Sequence, residues 1–271
     1  QVIYDAHELE VHRNPPLPFL RKRFVKVLER SCAKKCAHVI TVGDEIGHIL
    51  SKSFRKNVSI IYNTPVVKPF NRNIRNDLNL GEQDKLLIYV GKVTIGRGVE
   101  KVIQHIKSLD NVTFATIGPC DKKTKNMLYK LAKSEGVINR FYILPPVSYE
   151  CVVPYISGAD LGIISVEPVT LSYELCMPNK LFELIFANIP IISNDLTEVK
   201  KLITSLENGI ITDFDEDERL AADIAYALYR SNRLKASYES ASSKAVVKEY
   251  SWSKMEARLV SIYQAVLEKH R

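Results

Sequence analysis

The chain predicts an α/β protein built on a doubly wound parallel sheet, and three observations carry the prediction. Short apolar runs alternate with helix-patterned segments from residue 86 to about 230, as parallel strands joined by crossover helices do. The runs Leu86 to Val90, Val112 to Ile117 and Leu161 to Ser165 are apolar at nearly every position, the mark of strands covered on both faces. Several runs end in glycine or proline turns, at Gly91, Gly118-Pro119 and Pro145-Pro146, where backbone can approach a ligand closely.

In chain order, Val2 to Tyr4 reads as a strand that ends in the polar cluster Asp5-Ala6-His7-Glu8, and Arg13 to Pro18 as a rigid non-helical connection. Phe19 to Lys35 spaces Phe24, Val27, Leu28 and Ala33 along a helix and interleaves them with Arg21, Lys22, Arg23, Lys26, Arg30, Lys34 and Lys35. Such a basic amphipathic helix suits a packed protein surface or an anionic membrane surface. Ala37 to Val42 and Val58 to Tyr62 are strands about a helix at Gly43 to Ser53, and residues 65–85 read as an irregular linker. Six strands then follow, at 86–90, 112–117, 141–144, 161–165, 189–193 and 209–212, with helices between them and a last helix at Glu216 to Tyr229. Tyr250 to His270 spaces Met255, Leu259, Ile262, Val266 and Leu267 along one face of a helix that needs a partner surface. The expected division is residues 1–64 as the end of a truncated first domain, 65–85 as linker, 86–248 as a complete second domain and 249–271 as a helix packing back on the first part. Gln1 leads straight into a strand and the first Met is at 127, which reads as a chain that begins inside a domain.

Composition narrows the function. At 271 residues and 46% hydrophobic the chain can bury a large core, and no apolar run approaches the roughly 18 residues that cross a bilayer as a helix. A net charge of +7 suits an anionic ligand, an acidic membrane or nucleic acid. The basic residues are dispersed, with no aromatic-interleaved stretch or helix-turn-helix pattern, which argues against nucleic acid. Five cysteines, odd in number and scattered through apolar segments, read as reduced interior thiols of a cytoplasmic protein, without metal-ligand spacing.

The site chemistry is concentrated in two stretches. Pro178-Asn179-Lys180 opens a helix whose apolar run, Leu181, Phe182, Leu184 and Ile185, carries the acid Glu183 about one turn in. A helix start seats a phosphate, and Glu183 stands where a carboxylate can accept hydrogen bonds from sugar hydroxyls beside it. The first strand of the second domain runs into Gly91-Lys92-Val93-Thr94-Ile95-Gly96-Arg97-Gly98, which brings two cations to the same sheet edge. The spacing matches neither a dinucleotide-binding fingerprint nor a P-loop, and two cations beside a helix start suit a leaving diphosphate.

These residues resemble a known family. Tyr89-Val90-Gly91-Lys92 with Arg97-Gly98, then Ile117-Gly118, Ala159-Asp160-Leu161-Gly162-Ile163 and Pro178-Asn179-Lys180-Leu181-Phe182-Glu183 with Ala187 and Pro190, look like the donor-binding domain of GT-B-type glycosyltransferases of glycosyltransferase family 4. Tyr4 to Glu8 and the tail from Ser251 are similar to further parts of that family. The resemblance implies two Rossmann-like domains, the first only partly present, and a retaining transfer of a sugar from a UDP- or GDP-sugar to a saccharide or lipid-linked saccharide in polysaccharide, lipopolysaccharide, capsule or glycolipid synthesis. It implies that Gly91, Lys92, Arg97 and Gly98 hold the diphosphate with Gly118 close by, and that Asn179 and Lys180 lie beside the sugar and phosphate. Glu183 would accept the ribose hydroxyls, the base would lie near Pro145 and Val147, and Lys92, Arg97 and Glu183 would carry the reaction. No metal or other cofactor is required, and the protein would be cytoplasmic, peripheral on the inner membrane where it touches one. Leu175 stands where the family often has a first glutamate, and Asn188 where a glycine is usual. With the acceptor half incomplete, the fragment is expected to bind nucleotide weakly and to show no turnover alone. A nucleotide-sugar epimerase of the same architecture and a non-catalytic basic α/β module are the competing readings.

Overall fold

The computed structural model describes residues 1–238 and 240–268. Strands β1 (Ile3–Ala6), β2 (His38–Thr41) and β3 (Val58–Ile60) form a parallel sheet in that order, linked by α1 (Phe19–Lys35) and α2 (Asp44–Phe54). After α3 (Ile74–Asp77), the chain lays down β4 (Lys85–Val90), α4 (Val99–His105), β5 (Val112–Ile117), α5 (Lys122–Ser134), β6 (Phe141–Leu144), α6 (Val152–Ile156) and β7 (Leu161–Ile164). It continues through α7 (Leu171–Glu174), α8 (Asn179–Phe186), β8 (Ile191–Ser193), α9 (Thr197–Ser205), β9 (Gly209–Ile211) and α10 (Asp217–Tyr229). It ends in α11 (Ser231–Tyr238), α12 (Ala241–Glu249) and α13 (Trp252–Glu268).

The second sheet is parallel throughout, in the order β6-β5-β4-β7-β8-β9. The order reverses between β4 and β7, and in an open α/β sheet the crevice beyond the C-terminal ends of those two strands is where ligands bind. Burial on both faces holds the sheet: Leu86, Ile88 and Val90 of β4 enter one apolar cluster, while Leu87 and Tyr89 enter the other. Asp121 caps α5 by accepting from the Thr124 backbone N–H at 2.9 Å. The two sheets share a core in which Ile40, Ile61 and Tyr62 pack with Leu181, Phe182 and Met255. α13 joins that seam, since Met255 Sδ accepts from Tyr62 N–H at 3.3 Å and Arg258 donates to the Ile60 carbonyl at 2.9 Å.

Several expectations need correction. The stretch 65–85 is a packed connection: Ile74 is fully buried, Phe70 stacks edge-on against Tyr155, and Arg75 donates to Asp160 and to the Gly158 and Asp84 carbonyls. α7, α11 and α12 lie outside the helices that the sequence pattern predicts, because their short, largely polar sequences present no sustained apolar stripe. Cys32 is exposed and the other four cysteines are half-buried, so none is a fully interior thiol. In α13, Met255, Ile262 and Val266 are buried whereas Leu267 is 64% exposed near the helix end; residues 269 and 270 of the expected helix lie outside the described residues. Of the apolar positions of α1 only Ala33 is buried. Asn188, in place of the usual glycine, holds a left-handed φ of 54° just after α8, a conformation that asparagine adopts more readily than most residues.

Candidate functional site

The site is built at the reversal of strand order. Beyond β4, Gly91 turns with φ 112° and donates its N–H to the Ile117 carbonyl at 2.9 Å; beyond β5, Gly118 turns with φ 146°. The two turns meet so closely that a Cβ on Gly118 would overlap the Gly91 carbonyl. This contact forms a floor of bare backbone, which only glycine permits. Gly98, at φ 72°, caps α4, and its missing Cβ leaves room for the Ser165 side chain from the end of β7.

α8 delivers the charged groups. Its apolar stripe buries Leu181, Phe182, Leu184 and Ile185, and this draws Lys180 and Glu183 in with it, to 8% and 6% exposure. The Lys180 ammonium lies 3.6 Å from the centroid of the Tyr89 ring and has no hydrogen-bond partner among the described residues. Burial, and then the neighbouring Arg97, pull its pKa down to about 7, with Glu183 acting the other way. Burial pushes Glu183 up to about 7, opposed by Lys180. A buried amine without a partner and a buried carboxyl held against its ordinary pKa are stabilised by a ligand of complementary charge and hydroxyl groups, and perturbed groups in a crevice mark functional sites.

The structure therefore gathers Gly91, Gly118, Arg97, Lys180 and Glu183 at one rim. Arg97 is half-buried on the turn before α4, while Lys92 is exposed on the same turn. Asn179 is exposed at the start of α8, and Pro145 and Val147 follow β6, exposed and half-buried respectively. Three groups were not singled out from the sequence. Tyr89 lies beneath Lys180; burial, and then the charge of Glu183, raise the Tyr149 hydroxyl pKa; and Cys176 adjoins Lys180 and Arg97, its thiol pushed up to about 11 by burial. Tyr89 opens the Tyr89-Val90-Gly91-Lys92 motif but reads there as part of a buried strand, and Tyr149 reads as an ordinary apolar position whose sequence signal is proximity to the turn after β6.

An opening of about 250 Å³ beside Arg97 is lined by Gly96, Glu167 and Tyr173 and, from the N-terminal part, by Asn14. A larger hollow of about 400 Å³ beyond β7, β8 and β9 is lined by four acids, Glu167, Asp195, Asp213 and Asp215, against Lys101, which pairs with Asp215, and Arg219, so acids outnumber cations there. Among the described residues, no group of three or more His, Cys, Asp or Glu side chains is arranged to hold a metal ion, and no helix is long and apolar enough to cross a membrane.

Comparison with known proteins agrees with this architecture. Residues 70–244, more than half of the chain, match the family model described as glycosyl transferases group 1. An uncharacterized glycosyltransferase, MJ1607, of Methanocaldococcus jannaschii is 21% identical over 98% of this chain and 70% of its own length. Sucrose-phosphate synthase from Thermosynechococcus elongatus superposes with a TM-score of 0.76 at 14% identity, over 98% of this chain and 68% of that one. Alr3699/HepE of Anabaena, solved with UDP and glucose, gives 0.74 at 14% identity over 97% and 71%. The lipopolysaccharide glycosyltransferase WaaG gives 0.69 at 18% identity over 96% and 74%. The fold is the expected GT-B-like one.

Proposed function

The chain belongs to the group 1 glycosyl transferases, and from that premise we propose that it serves a retaining transfer, of the family 4 kind, from a nucleotide sugar to a hydroxyl of a saccharide or lipid-linked saccharide. The bond from the anomeric carbon to the diphosphate oxygen breaks, the acceptor oxygen bonds to the same face of that carbon, and the hydroxyl proton passes to the departing nucleoside diphosphate. Lys92, Arg97 and Lys180 neutralise the departing charge, a task that otherwise falls to a metal ion. Glu183 accepts the ribose hydroxyls, Asn179 adjoins the sugar, and the base lies against Pro145 and Val147. Residues 86–248 form the donor-binding domain, residues 1–64 belong to the acceptor side, and 249–271 tie the two.

The observation that carries this reading is the convergence of Arg97, Lys180 and Glu183 on the bare-backbone floor at the strand reversal, with a buried ammonium lacking a partner. Saturating UDP, or GDP if that is the base, is expected to raise the melting temperature by about 5 °C. Arg97→Ala is expected to weaken binding about 30-fold, by removing a charge-assisted contact to phosphate. If neither UDP, GDP, ADP nor their sugars moves the transition, the reading falls.

A peripheral membrane role is supported by α1. Phe19, Leu20, Phe24 and Val27 are between 66% and 79% exposed, and Arg21, Lys22, Arg23 and Lys26 interleave with them. Such a helix partitions into an anionic interface. The chain is expected to float with vesicles rich in phosphatidylglycerol and not with neutral phosphatidylcholine, and Phe24→Ser with Val27→Ser to abolish flotation while leaving the melting temperature unchanged.

A further inference from the structure

Tyr89 is 1% exposed on β4, between Thr116 of β5 and Ile163 of β7 in the register of the sheet. A tyrosine so placed ordinarily serves packing alone, yet this one touches the Lys180 ammonium and the backbone of the turn that carries Lys92 and Arg97. The face of its ring lies 3.6 Å beneath the Lys180 ammonium. Its hydroxyl donates to the Lys92 carbonyl at 3.1 Å, and burial raises the pKa of that hydroxyl while the charge of the nearby Arg97 opposes the rise. Lys180 reaches the ring by passing over Gly91, where a Cβ would come within 3.8 Å of its ammonium.

The cations need such a support. Arg97 and Lys180 repel each other, and the buried Lys180 ammonium has no hydrogen bond to hold it. The turn carrying Lys92 and Arg97 is anchored at its start, where Gly91 and Val93 donate to the Ile117 and Pro119 carbonyls at 2.9 Å, while Gly96 and Gly98 take positive φ on either side of Arg97. The negative face of an aromatic ring stabilises a desolvated ammonium, and a hydroxyl that donates to a backbone carbonyl of the turn holds that turn against the strand.

We infer that Tyr89 is the positioning residue of the donor site: its ring holds the Lys180 ammonium and its hydroxyl holds the Lys92 to Arg97 turn, so that three cations are set in advance to receive a diphosphate. The inference rests on the donor-site reading above and adds to it the residue that orders the cations.

Calorimetric titration of the whole chain with UDP and with inorganic pyrophosphate tests this. Tyr89→Phe keeps the ring and the packing, and is expected to weaken both ligands by about 3- to 10-fold. Tyr89→Leu removes the ring as well and is expected to weaken both by about 30-fold. In an Arg97→Ala background, Tyr89→Phe is expected to cost less than in the parent chain, at most about 3-fold, since the turn that the hydroxyl holds then presents Lys92 alone. The ring also favours the charged form of Lys180, so Tyr89→Leu is expected to shift to lower pH the point above which pyrophosphate affinity declines, while Tyr89→Phe leaves it in place. A purely structural tyrosine predicts losses that add to those of Arg97→Ala and no movement of the pH profile, and that outcome overturns the inference while the donor site stands. Failure of the unsubstituted chain to bind either ligand overturns the donor-site reading and this inference with it.

Discussion

Gly118→Ala is expected to lower the stability of the chain by about 3 kcal/mol and to abolish protection by nucleoside diphosphates. The reason lies in what the new methyl meets. Gly118 has φ +146°, a conformation that side-chain-bearing residues avoid, and its Cβ would overlap the carbonyl oxygen and carbon of Gly91. Those atoms are backbone at the end of a central strand, with Gly91 N–H bonded to the Ile117 carbonyl, so they cannot swing aside as a side-chain tip would. Relief requires the β4 and β5 turns to part, which moves the floor under Lys180 and carries Lys92 and Arg97 with it. Gly136→Ala supplies the control. Gly136 also has positive φ, at +73°, but nothing lies within 4 Å of its Cβ, so only the conformational term of about 1 kcal/mol applies. Denaturant melts of the two variants separate strain from collision. Equal losses would show that the close approach of the two turns contributes nothing.

Both the doubly wound sheet and the glycine turns at its reversal of strand order are legible in the sequence, and for a physical reason. Strands such as β4 and β5 are buried on both faces, so almost every residue must be apolar, and their ends must be glycines where two turns touch. α8 is legible because Pro178 opens it and Asn188 takes the left-handed turn that closes it. The connection around α3 is not legible in this way. It is held by Arg75 bonding to the Gly158 carbonyl and the Asp160 carboxylate far along the chain and to the nearby Asp84 carbonyl, and such bonds leave no periodicity to read. α11 and α12 are hidden for a related reason, since their polar sequences present no long apolar stripe. At the site, spacing identifies Lys180 and Glu183 but not their depth. Their burial follows from the packing of the four apolar neighbours on α8, and Tyr89 acquires its contacts only once α8 lies across the end of β4.

Glu183→Gln is expected to stabilise the chain at alkaline pH while removing the response to UDP. In the folded chain burial pushes the Glu183 carboxyl from its ordinary 4.5 up to about 7, so the folded state holds this proton more tightly than the unfolded state. Below pH 4.5 both states are protonated and the group is neutral in the balance. As pH rises from 4.5 to 7 the unfolded chain ionises first, so stability falls across that window, and above 7 the full penalty is present. Glutamine has the same shape and no proton to lose. The variant is therefore expected to match the parent near pH 4 and to exceed it at pH 8 by on the order of 2–3 kcal/mol. The loss of the charge that favours protonated Lys180 trims that gain. Lys180→Met is expected to show the opposite dependence. Its amine is held at about 7 against an ordinary 10.5, so its penalty is complete below 7 and fades as pH rises from 7 to 10.5. Its variant gains most in acid. Denaturant midpoints at pH 4.5 and 8 for the parent and both variants, each repeated with UDP, measure the two slopes. Crossed pH dependences, together with loss of the nucleotide response in both, would identify the pair as a site that lowers the stability of the empty fold in order to bind charge. Parallel, pH-independent offsets would show instead that the two side chains are ordinary packing residues.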